Sequence, residues 1–329
     1  MGLLICQQLV SRYEVIGRAL EEELLDKPLV SILINNYNYG RFLREAIDSA
    51  LNQTYPHVEV VVVDDGSTDE SRNIIASYGD QINPILKENG GQASAFNVGF
   101  INSRGEIICF LDSDDIFLPE KSAEVAHLFK SDQEIGWCFH PQIIADIKDK
   151  PVSQVNYEPT FTKYDLAQQM QRGKLGNPFE FHIPATSGIC FRHSLLEKIL
   201  PMPESNGITL NDSYIKFAAL GISKGAALNA GLSVQRIHDS NAFTFKNNKQ
   251  QLAEFHVLLA YWLRKNFPTL AKFANNLFAT GMMFYQQIGG VEVKCQGVVE
   301  DYLSSSTFLE RCEIHLRVFA KVLIFSLKR

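Results

Sequence analysis

Asp112, Asp114 and Asp115 follow the apolar run Ile107-Ile108-Cys109-Phe110-Leu111 without a spacer, and Pro119 closes the stretch. Five apolar residues in a row read as a strand buried on both faces. Carboxylates crowded at the end of such a strand repel one another, and a bound cation offsets that repulsion. Oxygen donors of this kind suit a hard divalent metal, Mg²⁺ or Mn²⁺. The plainer alternative is that Asp114 and Asp115 cap a helix opened by Pro119 and Glu120.

The elements around this stretch repeat one pattern. Leu29 to Ile34 is a buried strand that runs into the polar turn Asn35-Asn36-Tyr37-Asn38-Tyr39-Gly40. A helix follows, with Phe42, Leu43, Ala46, Ile47, Ala50 and Leu51 on one face. Val58 to Val63 is a second strand, closed by Asp64-Asp65-Gly66-Ser67-Thr68-Asp69, with a helix over Ser71 to Tyr78. Ile82 to Leu86 forms a third strand, and Asn89-Gly90-Gly91-Gln92-Ala93-Ser94 a glycine-rich turn before a helix through Phe96, Asn97 and Phe100. Ile107 to Leu111 is the fourth strand. Tyr37, Asp65, Gly91 and Asp114 thus converge on the carboxyl edge of an open parallel sheet, where such sheets bind ligands.

Beyond Pro119 the pattern predicts a helix over Lys121 to Phe129, a strand at Trp137-Cys138-Phe139, and an irregular polar excursion over 146–178. Pro184 to Phe191 returns to core, Ser194 opens a short helix, and Asn211 to Gly221 is another helix. Strands near Gly225 to Leu232 and Val234 to His238 complete the α/β part. Residues 1–28 have the weak spacing of a leader helix, and the texture after about 246 is helical only. The last stretch, Phe308 to Arg329, interleaves Leu309, Leu316, Phe319, Leu323 and Phe325 with Arg311, Arg317, Lys321, Lys328 and Arg329. It reads either as a helix docked on its own protein or as a basic amphipathic helix in peripheral contact with a membrane.

The totals of this 329-residue chain exclude several classes. A net charge of −6, with no basic stripe interleaved with aromatics in the first two thirds, argues against nucleic acid as a partner. The six cysteines include no C-x-x-C pair and read as reduced core residues of a cytoplasmic protein. The beginning has no basic n-region, and no apolar run is long enough to span a bilayer.

Four blocks, Val30 to Asn38, Val63 to Asp69, Gly90 to Asn97 and Phe110 to Asp115, in that order and spacing, resemble the family 2 glycosyltransferases. The resemblance covers residues 29 to about 120. It implies the GT-A fold, a Rossmann-like mostly parallel sheet flanked by helices, here with an all-helical C-terminal extension. Together with the spacing and texture read above, it divides the chain into a leader over 1–28, a GT-A domain over 29–245 with a nucleotide-binding half (29–120) and an acceptor-side half (121–245), and an extension over 246–329. The activity it implies is inverting transfer of a sugar from a nucleotide-diphosphate donor, UDP favoured, to an acceptor hydroxyl on a carbohydrate, lipid carrier or protein, in polysaccharide, glycolipid or glycoconjugate synthesis.

The resemblance also implies roles. Tyr37 packs the base, Asp65 accepts from uracil or ribose, and Asp112 and Asp114 form the Asp-x-Asp that holds a divalent metal, Mn²⁺ or Mg²⁺. Asn36, Asn38, Gly91, Gln92, Ser94, Asn97 and Ser113 complete the nucleotide-binding set. Thr186, Ser187, Gly188 and Asn211 line the donor and acceptor, Asp212 is the catalytic base, and His238 completes the metal shell. Asn211 departs from the acid that usually precedes the base. A nucleotidyltransferase and an inactive sugar-nucleotide-binding scaffold are the alternative readings, the second prompted by Asn211.

Overall fold

The structure is a computed structural model, and it describes residues 27–146, 160–173, 183–204, 212–239 and 248–327. The expected leader helix, Asn211 and most of the 146–178 excursion lie outside the described residues.

Among the described residues the strands are β1 (Val30–Asn36), β2 (Val58–Asp65), β3 (Asn83–Lys87), β4 (Ile107–Asp112), β5 (Ile116–Phe117), β6 (Trp137–Phe139), β7 (Ile143–Asp146), β8 (Phe161–Tyr164), β9 (Ile189–Arg192), β10 (Gly225–Leu228) and β11 (Ser233–Ile237). The helices are α1 (Gly40–Leu51), α2 (Ser71–Ala76), α3 (Gly91–Ile101), α4 (Lys121–Ser131), α5 (Ala167–Gln171), α6 (His193–Leu196), α7 (Ser213–Ile222), α8 (Lys249–Asn266), α9 (Ala271–Ile288), α10 (Val293–Ser304) and α11 (Phe308–Leu327).

Eight strands form one sheet in the order β3-β2-β1-β4-β9-β6-β10-β8, and β5-β11-β7 form a second. The strands from β3 to β4 are parallel, as are β6 and β10, whereas β9 runs antiparallel to both β4 and β6. The chain winds outward from β1 to β2 and β3, then returns to place β4 on the other side of β1. That reversal opens a crevice at the carboxyl ends of β1 and β4.

The unbroken apolar runs of β1 and β4 arise because helices cover both faces of the sheet. Ile32, Ile34, Cys109 and Leu111 face the layer of α1 and α4, where Leu43, Ile47 and Val125 are buried. Leu33, Ile108 and Phe110 face the other way, toward Phe96, Tyr214, Leu258 and Phe278. The C-terminal helices therefore share one continuous core with the sheet. Of the five described cysteines, all free, Cys109, Cys138, Cys190 and Cys295 are buried and Cys312 is exposed on α11.

Arg264 of α8 pins the start of α11. Its guanidinium donates to both oxygens of Glu310 at 2.9 and 3.1 Å, in the forked geometry that a carboxylate accepts best. The Arg264 hydrogen bonds hold the Glu310 carboxyl down at about 2. A folded value below the unfolded one adds stability above the ordinary carboxylate range, and that stability is lost as pH falls toward the folded value. Solvent screening at this partly wet pair limits the contribution to about 1 kcal/mol. Glu310→Gln is accordingly expected to lower the urea midpoint at neutral pH and to match the parent near pH 2, as followed by circular dichroism.

Candidate functional site

The crevice between the carboxyl ends of the strands is a cleft of about 650 Å³, and it draws its walls from both halves of the chain. Asn36 comes from the end of β1, Tyr37 and Tyr39 from the turn after it, Asp65 from the end of β2, and Gly91 and Gln92 from the first turn of α3. Asp112, Ser113, Asp114 and Asp115 enter from the end of β4, and Thr186, Asp212 and Lys216 from the opposite side.

Asn35 and Asn36 hold the edge together. The Asn35 amide donates to Asp112 Oδ1 at 3.1 Å, and that of Asn36 to Asp64 Oδ1 at 2.9 Å. Tyr37 lines the cleft and remains 47% exposed. Asp65 is heavily engaged. Its Oδ1 accepts from Lys87 Nζ at 2.6 Å and from the Gly90 amide at 2.9 Å, and its Oδ2 from the Gly91 amide at 2.7 Å. Gly91 reaches this position at φ +83°, which a side chain would resist. A carboxylate offers about four acceptor sites. Asp65 thus retains room for about one more donor while it fixes the glycine-rich turn.

The three aspartates after β4 do converge. One carboxylate oxygen from each of Asp112, Asp114 and Asp115 lies within 4.8 Å of the others. Burial, then the charges of Asp114 and Asp212, pushes Asp112 up to about 7. Burial also raises Asp114, against the pull of His238 and Arg236, and raises Asp115 well above the carboxylate range. Helix capping does not explain the cluster. Helix α4 begins at Lys121 with Glu120 before it, whereas Asp115 accepts from the backbone amide of Arg236 at 3.1 Å and from Gln142 Nε2 at 3.4 Å. An all-oxygen trio beside an imidazole is the donor set of a hard divalent cation, so these residues fit Mg²⁺ or Mn²⁺.

His238 arrives through the second sheet. Strand β11 pairs with β5, which follows Asp115 directly, and this pairing carries the end of β11 back to the acidic cluster. The His238 ring is buried with Nε2 3.0 Å from Asp114 Oδ2 and Nδ1 3.2 Å from an Arg41 nitrogen. A guanidinium can only donate, so Nδ1 accepts and the proton sits on Nε2, facing Asp114. In this arrangement His238 is a donor to Asp114, and ligation of a metal through Nε2 requires that proton to leave.

Asp212 stands at the start of α7. Its Oδ2 accepts from Lys216 Nζ at 2.9 Å and from Thr186 Oγ1 at 3.3 Å. Lys216, one turn on, also donates to the Pro184 carbonyl at 2.9 Å. The hydroxyl of Thr186 lies close enough to Asp112 to lower its pKa, which puts it between the two acids. The antiparallel course of β9 explains this approach, because it brings the residues preceding β9 to the carboxyl end of β4.

Several expected contacts lie elsewhere. Asn97 exchanges hydrogen bonds with the Met202 backbone at 2.6 and 2.8 Å and donates to Glu204, so its amide ties α3 to the 200–204 turn instead of facing the cleft. Ser94 is buried beneath Gly90, on the side of α3 that faces away from Gln92. Asn38, in the left-handed region at φ 58°, accepts from the Thr68 amide at 2.8 Å and joins two turns. Ser187 accepts from the Asp112 amide at 3.0 Å, and Gly188 packs against Pro184 and the His140 carbonyl. These two support the floor of the cleft without lining it.

Three residues escaped the sequence reading. Lys216 had a signal, its i+4 spacing from Asp212. Tyr39 lines the cleft, with its hydroxyl pushed up to about 12 by burial and by Asp114 and Asp112. Fully buried Lys121 donates to the Ser187 carbonyl at 2.7 Å, and nothing in its neighbourhood in sequence announces that role.

A nucleotide-type crevice on a mostly parallel sheet, floored by clustered acids, defines a GT-A-type glycosyltransferase fold. The chain belongs to glycosyl transferase family 2, whose model matches residues 31–200. It is 34% identical to an uncharacterised glycosyltransferase of Rickettsia typhi over 242 residues, 72% of each chain. It is 37% identical over 216 residues to one of Nostoc sp., covering 64% of this chain and 66% of that one. In fold it is similar to the crystal structure of S. aureus TarS in complex with UDP-GlcNAc, at TM-score 0.58 and 19% identity over 84% of this chain and 79% of that chain. Family membership displaces the nucleotidyltransferase alternative. No helix among the described residues is long and apolar enough to cross a membrane.

Proposed function

We propose that the chain transfers a sugar, with inversion, from a nucleoside-diphosphate donor to an acceptor hydroxyl, with Asp212 as the base. The observation that carries this reading is the pairing, across one cleft, of the Asp112-Asp114-Asp115 cluster with Asp212. Inverting transfer needs those two functions on opposite sides of the reacting carbon, as inverting hydrolases do.

Tyr37 stacks the base, and Asp65 and the Gly91 turn receive the ribose side. Asp112 and Asp114 hold a divalent cation, which when bound neutralises charge on the departing diphosphate. Asp212 takes the proton from the acceptor oxygen. Because Lys216 and Thr186 occupy Oδ2, the other oxygen, Oδ1, is the basic atom. Lys216 is a positioning residue whose ammonium holds Oδ2 of the Asp212 carboxylate in place. Lys216→Met is expected to cut kcat by about tenfold to a hundredfold, with little change in nucleotide affinity; Lys216→Arg is expected to recover part of the loss. The UDP-GlcNAc of the TarS complex makes a uridine nucleotide the first to try.

Calorimetric titration with UDP, GDP and dTDP, each with Mn²⁺ and again with EDTA, tests the reading. Metal-dependent binding of one nucleotide is expected. Binding of none of them under either condition would overturn it.

A further inference from the structure

Helix α11 has two apolar faces. Ile314 and Val318 are buried in the main core, with Val322 packed at its edge, where the helix runs along α9. The opposite side presents Leu309, Leu316, Phe319, Leu323 and Leu327, each between 51 and 78% exposed. Their three- and four-residue spacing places them in one stripe along the helix. Single exposed leucines are ordinary, but an ordered row of large ones marks an interaction surface.

The charge around the stripe indicates what it meets. Residues 308–329 contain five Lys and Arg against two Glu, in a chain whose net charge is −6. Both glutamates are already ion-paired, Glu310 with Arg264 and Glu313 with Arg317. Arg317 flanks the stripe beside Leu316, Lys321 is half-buried on the side of α11 that faces His256 of α8, and Lys249 of α8 brings another cation to the same end of the helix, 5.4 Å from the Phe325 ring. We propose that this face docks α11 flat on an anionic lipid bilayer. The leucines and Phe319 enter the boundary between headgroups and acyl chains, while Arg317 and Lys249, at the sides of the helix, reach the phosphates.

A second copy of the chain fits the stripe less well. A 20-residue helix is about 30 Å long, so a stripe about 10 Å wide offers roughly 300 Å², against about 800 Å² per partner in a stable dimer. Two such helices would also bring their cationic excess together. A bilayer sets no such minimum area, and its anionic lipids complement the charge.

Co-sedimentation of the full chain tests the proposal, with vesicles of phosphatidylcholine alone and of phosphatidylcholine mixed with phosphatidylglycerol. The chain is expected to pellet with the mixed vesicles and to be released by salt. The double variant Leu316→Asp/Phe319→Asp should lower that partition by about tenfold or more, with circular dichroism unchanged because both positions face outward. Equal partition of parent and variant, or no binding to anionic vesicles, overturns the proposal. So does a dimeric mass by light scattering that becomes monomeric in the variant, which would assign the stripe to a second copy.

Discussion

Asp212→Asn is expected to reduce sugar transfer by about 10³-fold, within the 10² to 10⁴ that a positioned general base contributes. Asparagine keeps the shape of the side chain and can still accept from Lys216 Nζ and Thr186 Oγ1, the two donors that hold Oδ2 at 2.9 and 3.3 Å. What it loses is a basic oxygen for the acceptor proton. Nucleotide binding is expected to survive, because the contacts proposed for base, ribose and diphosphate lie on the other wall of the cleft. Turnover in a coupled nucleotide-release assay and affinity by calorimetry separate the two effects. Unchanged turnover would remove Asp212 from the role of base.

Asp114→Asn is expected to change binding and stability in opposite directions. Asp114 shares a site with Asp112 and Asp115, whose carboxylate oxygens lie within 4.8 Å of its own. Removing one charge relieves repulsion in a buried cluster, so in EDTA the variant should melt about 2 °C higher, a gain of about 1 kcal/mol. The parent, by contrast, should be stabilised by Mn²⁺ by about 2.7 kcal/mol at a hundredfold excess over its dissociation constant. That metal response, and metal-dependent nucleotide binding with it, should disappear in the variant. A melting curve that still rises with Mn²⁺ would place the cation elsewhere. Functional sites commonly trade stability for charge in this way.

The contrast between Asn97 and Lys216 explains which parts of the site were legible. Both lie on helices beside the cleft, Asn97 inside a block that resembles the family and Lys216 outside all four. A block in register says that a residue is near the nucleotide half, but the facing of a helix depends on which neighbours its apolar side buries. Asn97 turned toward Met202 and Glu204, and Ser94 toward Gly90, while Gln92 kept the cleft. Lys216 was within reach of the sequence, since i+4 from an acid at a helix start is a pairing distance. Lys121 was not, because its partner, the Ser187 carbonyl, is 66 positions away.

From the sequence alone came the four parallel strands, their polar turns, the acidic cluster and the family. Each of these rests on local periodicity or on contiguous residues, and local patterns survive without knowledge of what packs beside them. Tertiary structure alone decided the antiparallel insertion of β9, which carries Thr186 between two acids, and the pairing of β11 with β5, which brings His238 to Asp114 across 124 positions. Strand order and register are set by which apolar faces bury each other over long chain separations, and that choice is not written in any one segment.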